Sequence, residues 1–208
     1  MKSTPPGSPS VNADDIIPLV EEAIQLVGVQ FARLHADLAR QGRHRREWHP
    51  WAPAFAWLFD LDPSRHPIQV APIAALVARD MRLLRAIPGV MGEAPLRAEA
   101  SRLIRRQREA ALEELRAAGY YNLVGVRAEW TAVTRTDSAD VLLPDVPLEL
   151  QVKTRLPEDD PMRNETTVLQ VIAKARPQLR GDRPGIIVMS VPGVGDWDRF
   201  ARLDSARA

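Results

Sequence analysis

The chain has 208 residues and a formal net charge of +1, with 28 Lys and Arg against 27 Asp and Glu, so no global basic field marks a nucleic-acid binder and any such case rests on local patches. It contains no cysteine, which excludes disulfides, thiolate metal sites and thiol nucleophiles and fits a reducing compartment. No apolar run approaches the roughly 20 residues of a membrane span and the N-terminus lacks a basic-then-apolar signal pattern, so the expectation is a soluble cytoplasmic protein with no membrane partner.

Residues 1–13, rich in Ser, Pro and Gly, read as a disordered leader. From Asp14 the apolar residues Ile16, Leu19, Val20, Ala23, Ile24, Val27, Phe31, Leu34 and Leu38 recur at helical spacing, which predicts one long amphipathic helix capped by Asp14 or Asp15. A basic stretch, Arg40 to Arg46, ends it and leads into a segment with Trp48, Trp51, Phe55, Trp57 and Phe59, in which prolines are expected to break regular structure. A second helix is predicted from about Val70 to Ile87, stopped by Pro88-Gly89. Pro95 opens a third, with Leu96, Leu103, Ile104, Ala111, Leu112 and Leu115 as its stripe and Gly119 as its end. Tyr120 to Val133 reads as strand, a helix is expected from about Glu165 to Ala175, and the apolar run Gly185 to Val191 has the pattern of a strand covered on both faces. The predicted organisation is a helical N-terminal region at 14–92 followed by an α/β core at 93–208.

The chemistry concentrates between Ser138 and Thr154. Two short apolar strands flank Pro144-Asp145, which turns the chain back so that the strand carrying Asp140 lies antiparallel to the one carrying Gln151 and Lys153. Side chains alternate along a strand, so Glu149, Gln151 and Lys153 share one face while Leu148, Leu150 and Val152 share the other. A carboxylate, an amide oxygen and an ammonium around one point suit a divalent cation and a phosphate. The bland alternative is a solvated edge-strand face, with Glu149 and Lys153 paired to Asp140 across the hairpin.

The order helix, three strands, helix, strand, with Asp140 opening the second strand and Lys153 closing the third, resembles the PD-(D/E)XK nuclease superfamily, the restriction-endonuclease-like fold, over roughly residues 95–191. The family pattern is Asp, a short hairpin, then Glu-x-Lys; this chain has Gln151-Val152-Lys153, as Mrr-type restriction endonucleases do. The lead-in Ala111-x-x-x-Leu115-x-x-x-Gly119-Tyr120 resembles the first helix and turn of Mrr-like and Holliday-junction-resolvase-like members. Those relatives often place a Glu three residues before that Ala, where this chain has Arg108 beside Glu109. Gln178, before the last strand, resembles a family Gln that lines the site.

The resemblance implies a restriction-endonuclease-like mixed sheet flanked by helices and a DNA endonuclease dependent on Mg²⁺ or Mn²⁺. Asp140, Gln151 and the backbone carbonyl of Val152 would bind the metal, Lys153 would orient the attacking water, and Glu149 and Gln178 would support them. Arg43, Arg45 and Arg46, together with Arg102, Arg105 and Arg106 on the helix from Pro95, are the candidates for DNA phosphate contacts. The glutamates on that helix offer i,i+3 and i,i+4 partners, so a self-paired solvated helix is the competing account. The aromatic segment is expected to form core or a homodimer contact rather than to stack on bases. Two further functions compete with the nuclease: an inactive nuclease-fold module that binds DNA or assembles complexes, and an interaction protein that uses the Trp-rich segment. His35, His44, His49 and His66 lack the spacing of a zinc site and are expected in packing or surface roles.

Overall fold

A computed structural model describes residues 12–43, 47–62, 71–131, 139–154, 170–179 and 184–190. The chain is mixed α and β, mostly helical, with a small mixed four-stranded sheet. It divides into two compact units, Met1–Arg108 and Glu109–Ala208.

The N-terminal unit is built from helices. The predicted first helix is two: α1 (Ala13–Val27) and α2 (Val29–Arg40), separated at Gly28. Gly28 takes φ of +90°, a conformation nearly closed to residues with a Cβ, and its N–H returns to the Ile24 carbonyl, so periodicity runs on while the helix does not. The cap is Asn12, whose side chain accepts from the Asp14 N–H, rather than either aspartate. The aromatic segment is also more regular than expected. It forms α3 (Ala52–Phe59), with Pro53 in the first turn, where no amide donor is required. α4 (Pro72–Ala86) follows the predicted span closely.

Trp51 and Phe55 are fully buried, and so are His49, His35 and Asp80. The Trp51 indole donates to Asp80 on α4 at 2.9 Å, the His49 N–H donates to Nδ1 of His35 on α2 at 3.0 Å, and the Trp51 N–H donates to Nδ1 of His49 at 3.1 Å. The aromatic segment therefore ties α2, α3 and α4 together, and its central rings are not available for base stacking. His44, His66 and the loop of Arg155 to Asn164 lie outside the described residues.

The predicted helix from Pro95 is likewise two, α5 (Ala94–Gln107) and α6 (Glu109–Leu123). The break is at Arg108, at φ 51° and ψ −112°, and α5 packs on α1 as part of the N-terminal unit. Gly119 does not end α6. It is buried inside the helix, which continues through Tyr120 and Tyr121 to Leu123, and the turn-out comes at Gly125 with φ +82°. The long strand expected at Tyr120 to Val133 shrinks accordingly to β1 (Glu129–Trp130).

In the C-terminal unit β2 (Val141–Leu143) and β3 (Leu148–Thr154) form the predicted antiparallel hairpin, with Val141 opposite Leu150 and Leu143 opposite Leu148. β4 (Gly185–Ser190) runs parallel to β3, giving the order β1-β2-β3-β4. β3 is thus internal, not an edge. Among the described residues β4 is an outer strand of this sheet, and its Ile186 is 45% exposed, against the expectation of two covered faces. Leu112, Leu115, Ala111 and Ala118 of α6 form the core of this unit with Trp130, Val141, Leu143, Leu150 and Val152. Residues 170–175 are helical and pass into a 3-10 turn, Arg176–Gln178, at Pro177.

Candidate functional site

The hairpin brings Asp140, Gln151 and Lys153 together. Asp140 precedes β2 and its carbonyl accepts from the Thr131 N–H at 3.1 Å, which extends the β1–β2 pairing by one residue. One carboxylate oxygen, Oδ2, accepts from the Gln151 side-chain amide and from the backbone N–H of Val152 at 2.7 Å, and Lys153 Nζ lies 4.0 Å from the same oxygen. Burial pushes Asp140 above its ordinary carboxylate value, opposed by the Lys153 charge, the Val152 N–H and the Gln151 amide.

The solvated-face alternative fails here. Glu149 and Gln151 are 0% and 1% exposed, on a strand paired along both sides. Two buried polar side chains on one strand demand partners. Gln151 gives its amide N–H to Asp140, yet its Oε1, also buried, has no hydrogen-bond donor among the described residues. Lys153 and Asp140 keep part of their side chains in solvent, 27% and 18%, so the charged end of the cluster is the open one.

A fourth group escaped the sequence reading. Glu114, on α6, has a carboxyl pushed up to about 7, first by burial and then by the negative charge of Asp140, while a hydrogen bond from Trp130 and the charge of Lys153 act in the opposite sense. The Trp130 Nε1–H reaches Glu114 Oε2 at 3.4 Å. Glu114 is thus a helix carboxyl that feels the charges of both Asp140 and Lys153. Its sequence signal is positional: Glu114 lies three residues after Ala111 and four before Ala118, on the edge of the small-residue face that α6 turns toward the sheet.

Gln178 lies in the 3-10 turn, its Oε1 buried and without a partner among the described residues, and no hydrogen bond there joins it to Asp140, Gln151 or Lys153. Its neighbour Leu179 packs where a Gly185 side chain would stand, and Gly185 is the register partner of Glu149. The turn therefore covers the face that bears Glu149 and Gln151.

The phosphate-contact candidates all belong to the N-terminal unit. Arg43 is exposed and 3.9 Å from Glu47. Arg102 gives two N–H groups to Glu99, at 2.7 and 2.5 Å, so it is already paired. Arg105 donates to the Ser101 carbonyl of its own helix at 3.4 Å, and Arg106 is exposed with no side-chain partner among the described residues. Arg45 and Arg46 lie outside the described residues.

No His, Cys, Asp and Glu cluster of three or more suited to a metal occurs among the described residues. A hard cation would instead draw on Asp140, Glu114, the Gln151 Oε1 that lacks a donor and the Val152 carbonyl, an all-oxygen set of the kind Mg²⁺ takes together with water. No helix of the described residues is long and apolar enough to cross a membrane. Comparison with protein-family models, with curated proteins and with solved structures finds no match to this chain in any of the three.

Proposed function

We propose that the C-terminal unit is a divalent-cation-dependent phosphodiesterase of the PD-(D/E)XK type that hydrolyses DNA. The observation that carries this reading is the convergence on one Asp140 oxygen of the Gln151 amide, the Val152 N–H and the Lys153 ammonium, with the Glu114 carboxyl in electrostatic range. The order α6, three strands, a helical segment and β4 is the order the resemblance calls for.

A bound Mg²⁺ or Mn²⁺ would offset the charge that develops on the scissile phosphate. Asp140, Glu114, Gln151 Oε1 and the Val152 carbonyl would hold it. The Gln151 amide and Val152 N–H fix the Asp140 carboxylate so that it need not reorganise when phosphate enters. Lys153, the half-exposed cation of the site, orients the attacking water and opposes the negative charge of the pentacovalent phosphate. Gln151 carries no charge, so the second carboxylate of the usual pair comes from Glu114 on the helix.

The test is cleavage of supercoiled, linear and single-stranded DNA, and of RNA, with Mg²⁺ or Mn²⁺, by the wild type and by Asp140→Ala, Lys153→Ala and Glu114→Gln. The expected outcome is cutting by the wild type and losses of about 10²–10⁴-fold in the Asp140 and Lys153 variants. A wild type inert on every substrate, or full activity in folded Lys153→Ala, would overturn the reading. One observation favours the alternative of an inactive DNA-binding module: the Gln151 amide already satisfies Asp140 as a neutral donor, without any cation. Binding of DNA without cutting, unaffected by Lys153→Ala, would establish that account.

A further inference from the structure

We propose that Trp130 is a positioning residue that acts through Glu114, and that the two-residue strand β1 exists to hold the α6 carboxyl and Asp140 in one register. The inference rests on the functional reading above and adds to it a residue that the motif does not contain. Among the described residues the β1 ladder is short, with Glu129 and Trp130 paired to β2 and one further bond from Thr131 to Asp140. What it does have is a set of bonds at both ends. On the α6 side, the Asn122 side chain donates to the Ala128 carbonyl at 2.9 Å and accepts from the Ala128 N–H at 3.2 Å, while also donating to the Ala118 carbonyl at 2.9 Å. On the Asp140 side, the Thr131 N–H donates to the Asp140 carbonyl at 3.1 Å and the Thr131 hydroxyl donates to the Ala139 carbonyl.

Trp130 sits between these clamps. It is 8% exposed, its backbone is opposite Val141, the residue after Asp140, and its indole N–H points at Glu114 Oε2. A buried indole N–H needs an acceptor, and here that acceptor is the carboxyl group nearest in role to the missing Glu of the motif. The bond selects which oxygen of Glu114 faces the strands and which is left to bind. The clamps at Ala128 and Thr131 keep Trp130 from moving relative to either carboxyl-bearing element. A ring of similar shape without the N–H would leave the packing and remove the orientation, as loss of a supporting hydrogen bond behind a metal or catalytic ligand does, at about tenfold in activity.

The experiment combines Trp130→Phe with Glu114→Leu in a double-mutant cycle on DNA cleavage, alongside the indole N–H resonances of the full chain. In the wild-type background Trp130→Phe is expected to lower kcat about tenfold with KM for DNA within about twofold, and to raise the half-saturating Mg²⁺ concentration. In the Glu114→Leu background the same change is expected to have less than about a twofold effect, because the residue through which it acts is gone. The indole resonance missing from Trp130→Phe is expected to shift in Glu114→Leu and to stay in place in Glu113→Leu. Equal losses from Trp130→Phe in both backgrounds, or an unmoved Trp130 resonance in Glu114→Leu, would overturn the positioning role while leaving the nuclease reading intact. A wild type that cuts no nucleic acid would overturn the nuclease reading first, and the positioning role with it.

Discussion

At Glu114 burial and a neighbouring negative charge act in the same direction. Its carboxyl is pushed up to about 7 from an ordinary value of 4.5, with burial as the larger cause and Asp140 the next. The folded state then keeps a proton that the unfolded chain releases, so between about pH 4.5 and 7 the unfolded state binds fewer protons and stability falls as pH rises. The loss amounts to about 3 kcal/mol across that window and levels off above it. Urea unfolding at pH 5 and pH 8 should show that the wild type loses more stability, or gains less, between the two than Glu114→Gln does; an identical change in the variant would assign the effect elsewhere. Asp140, Gln151 and Lys153 were legible because a strand's period of two admits only one sharing of faces. Glu114 was not, because a helix offers several partners to each glutamate and only the packing of α6 on the sheet selects among them.

At the scale of elements, the hydrophobic pattern located nearly every helix but misjudged where helices stop. Apolar spacing runs through Gly28 and through Arg108 without a change of period, whereas the backbone breaks at both, each with positive φ. Gly119 presents the opposite case: a residue that ordinarily ends helices is retained inside one, where its small size suits a buried position. Gly185 has a packing reason of its own. A Cβ there would stand 2.7 Å from the Leu179 side chain. Gly185→Ala should therefore cost about 1 kcal/mol by displacing the turn that covers Glu149, measurable by denaturant unfolding. The cost should shrink in a Leu179→Ala background, where the added methyl has room; an undiminished cost would mean that backbone freedom rather than contact is what Gly185 supplies.

Across the whole molecule the two units carry buried titratable groups of opposite response. In the N-terminal unit burial, and after it the Arg108 charge, hold the His35 imidazole below its ordinary 6.5. Its Nδ1 is occupied by the His49 N–H, which only the neutral ring can accept. There the unfolded chain takes the proton first, so stability is present above about pH 6.5 and is lost as pH falls below it. Glu114 in the C-terminal unit has the reverse sign. Acidification from pH 6.5 to 5 should accordingly loosen the N-terminal unit while tightening the other. Peptide-resolved amide exchange, corrected for intrinsic rates, should read opposite changes in the two; parallel changes would refute the assignment. Trp51→Phe should weaken the N-terminal unit by about 1–3 kcal/mol, because it leaves Asp80 without its indole donor inside the core.

Taken by itself, the sequence determined the β2–β3 hairpin, the convergence of Asp140 with Gln151 and Lys153, the presence of a last strand from Gly185 and the helical character of the first half. These follow from local rules, the alternation of a strand, the turn at Pro144-Asp145 and the period of a helix, which act over a few residues. Only the tertiary structure decided that β3 is internal, that Trp51 and Phe55 are core, that the helices break at Gly28 and Arg108, and that Glu114 belongs with Asp140. The internal place of β3, the burial of Trp51 and Phe55 and the effect of Asp140 on Glu114 depend on contacts between residues far apart in the chain. Burial and the field of a distant charge are properties of the folded arrangement and leave no period in the sequence.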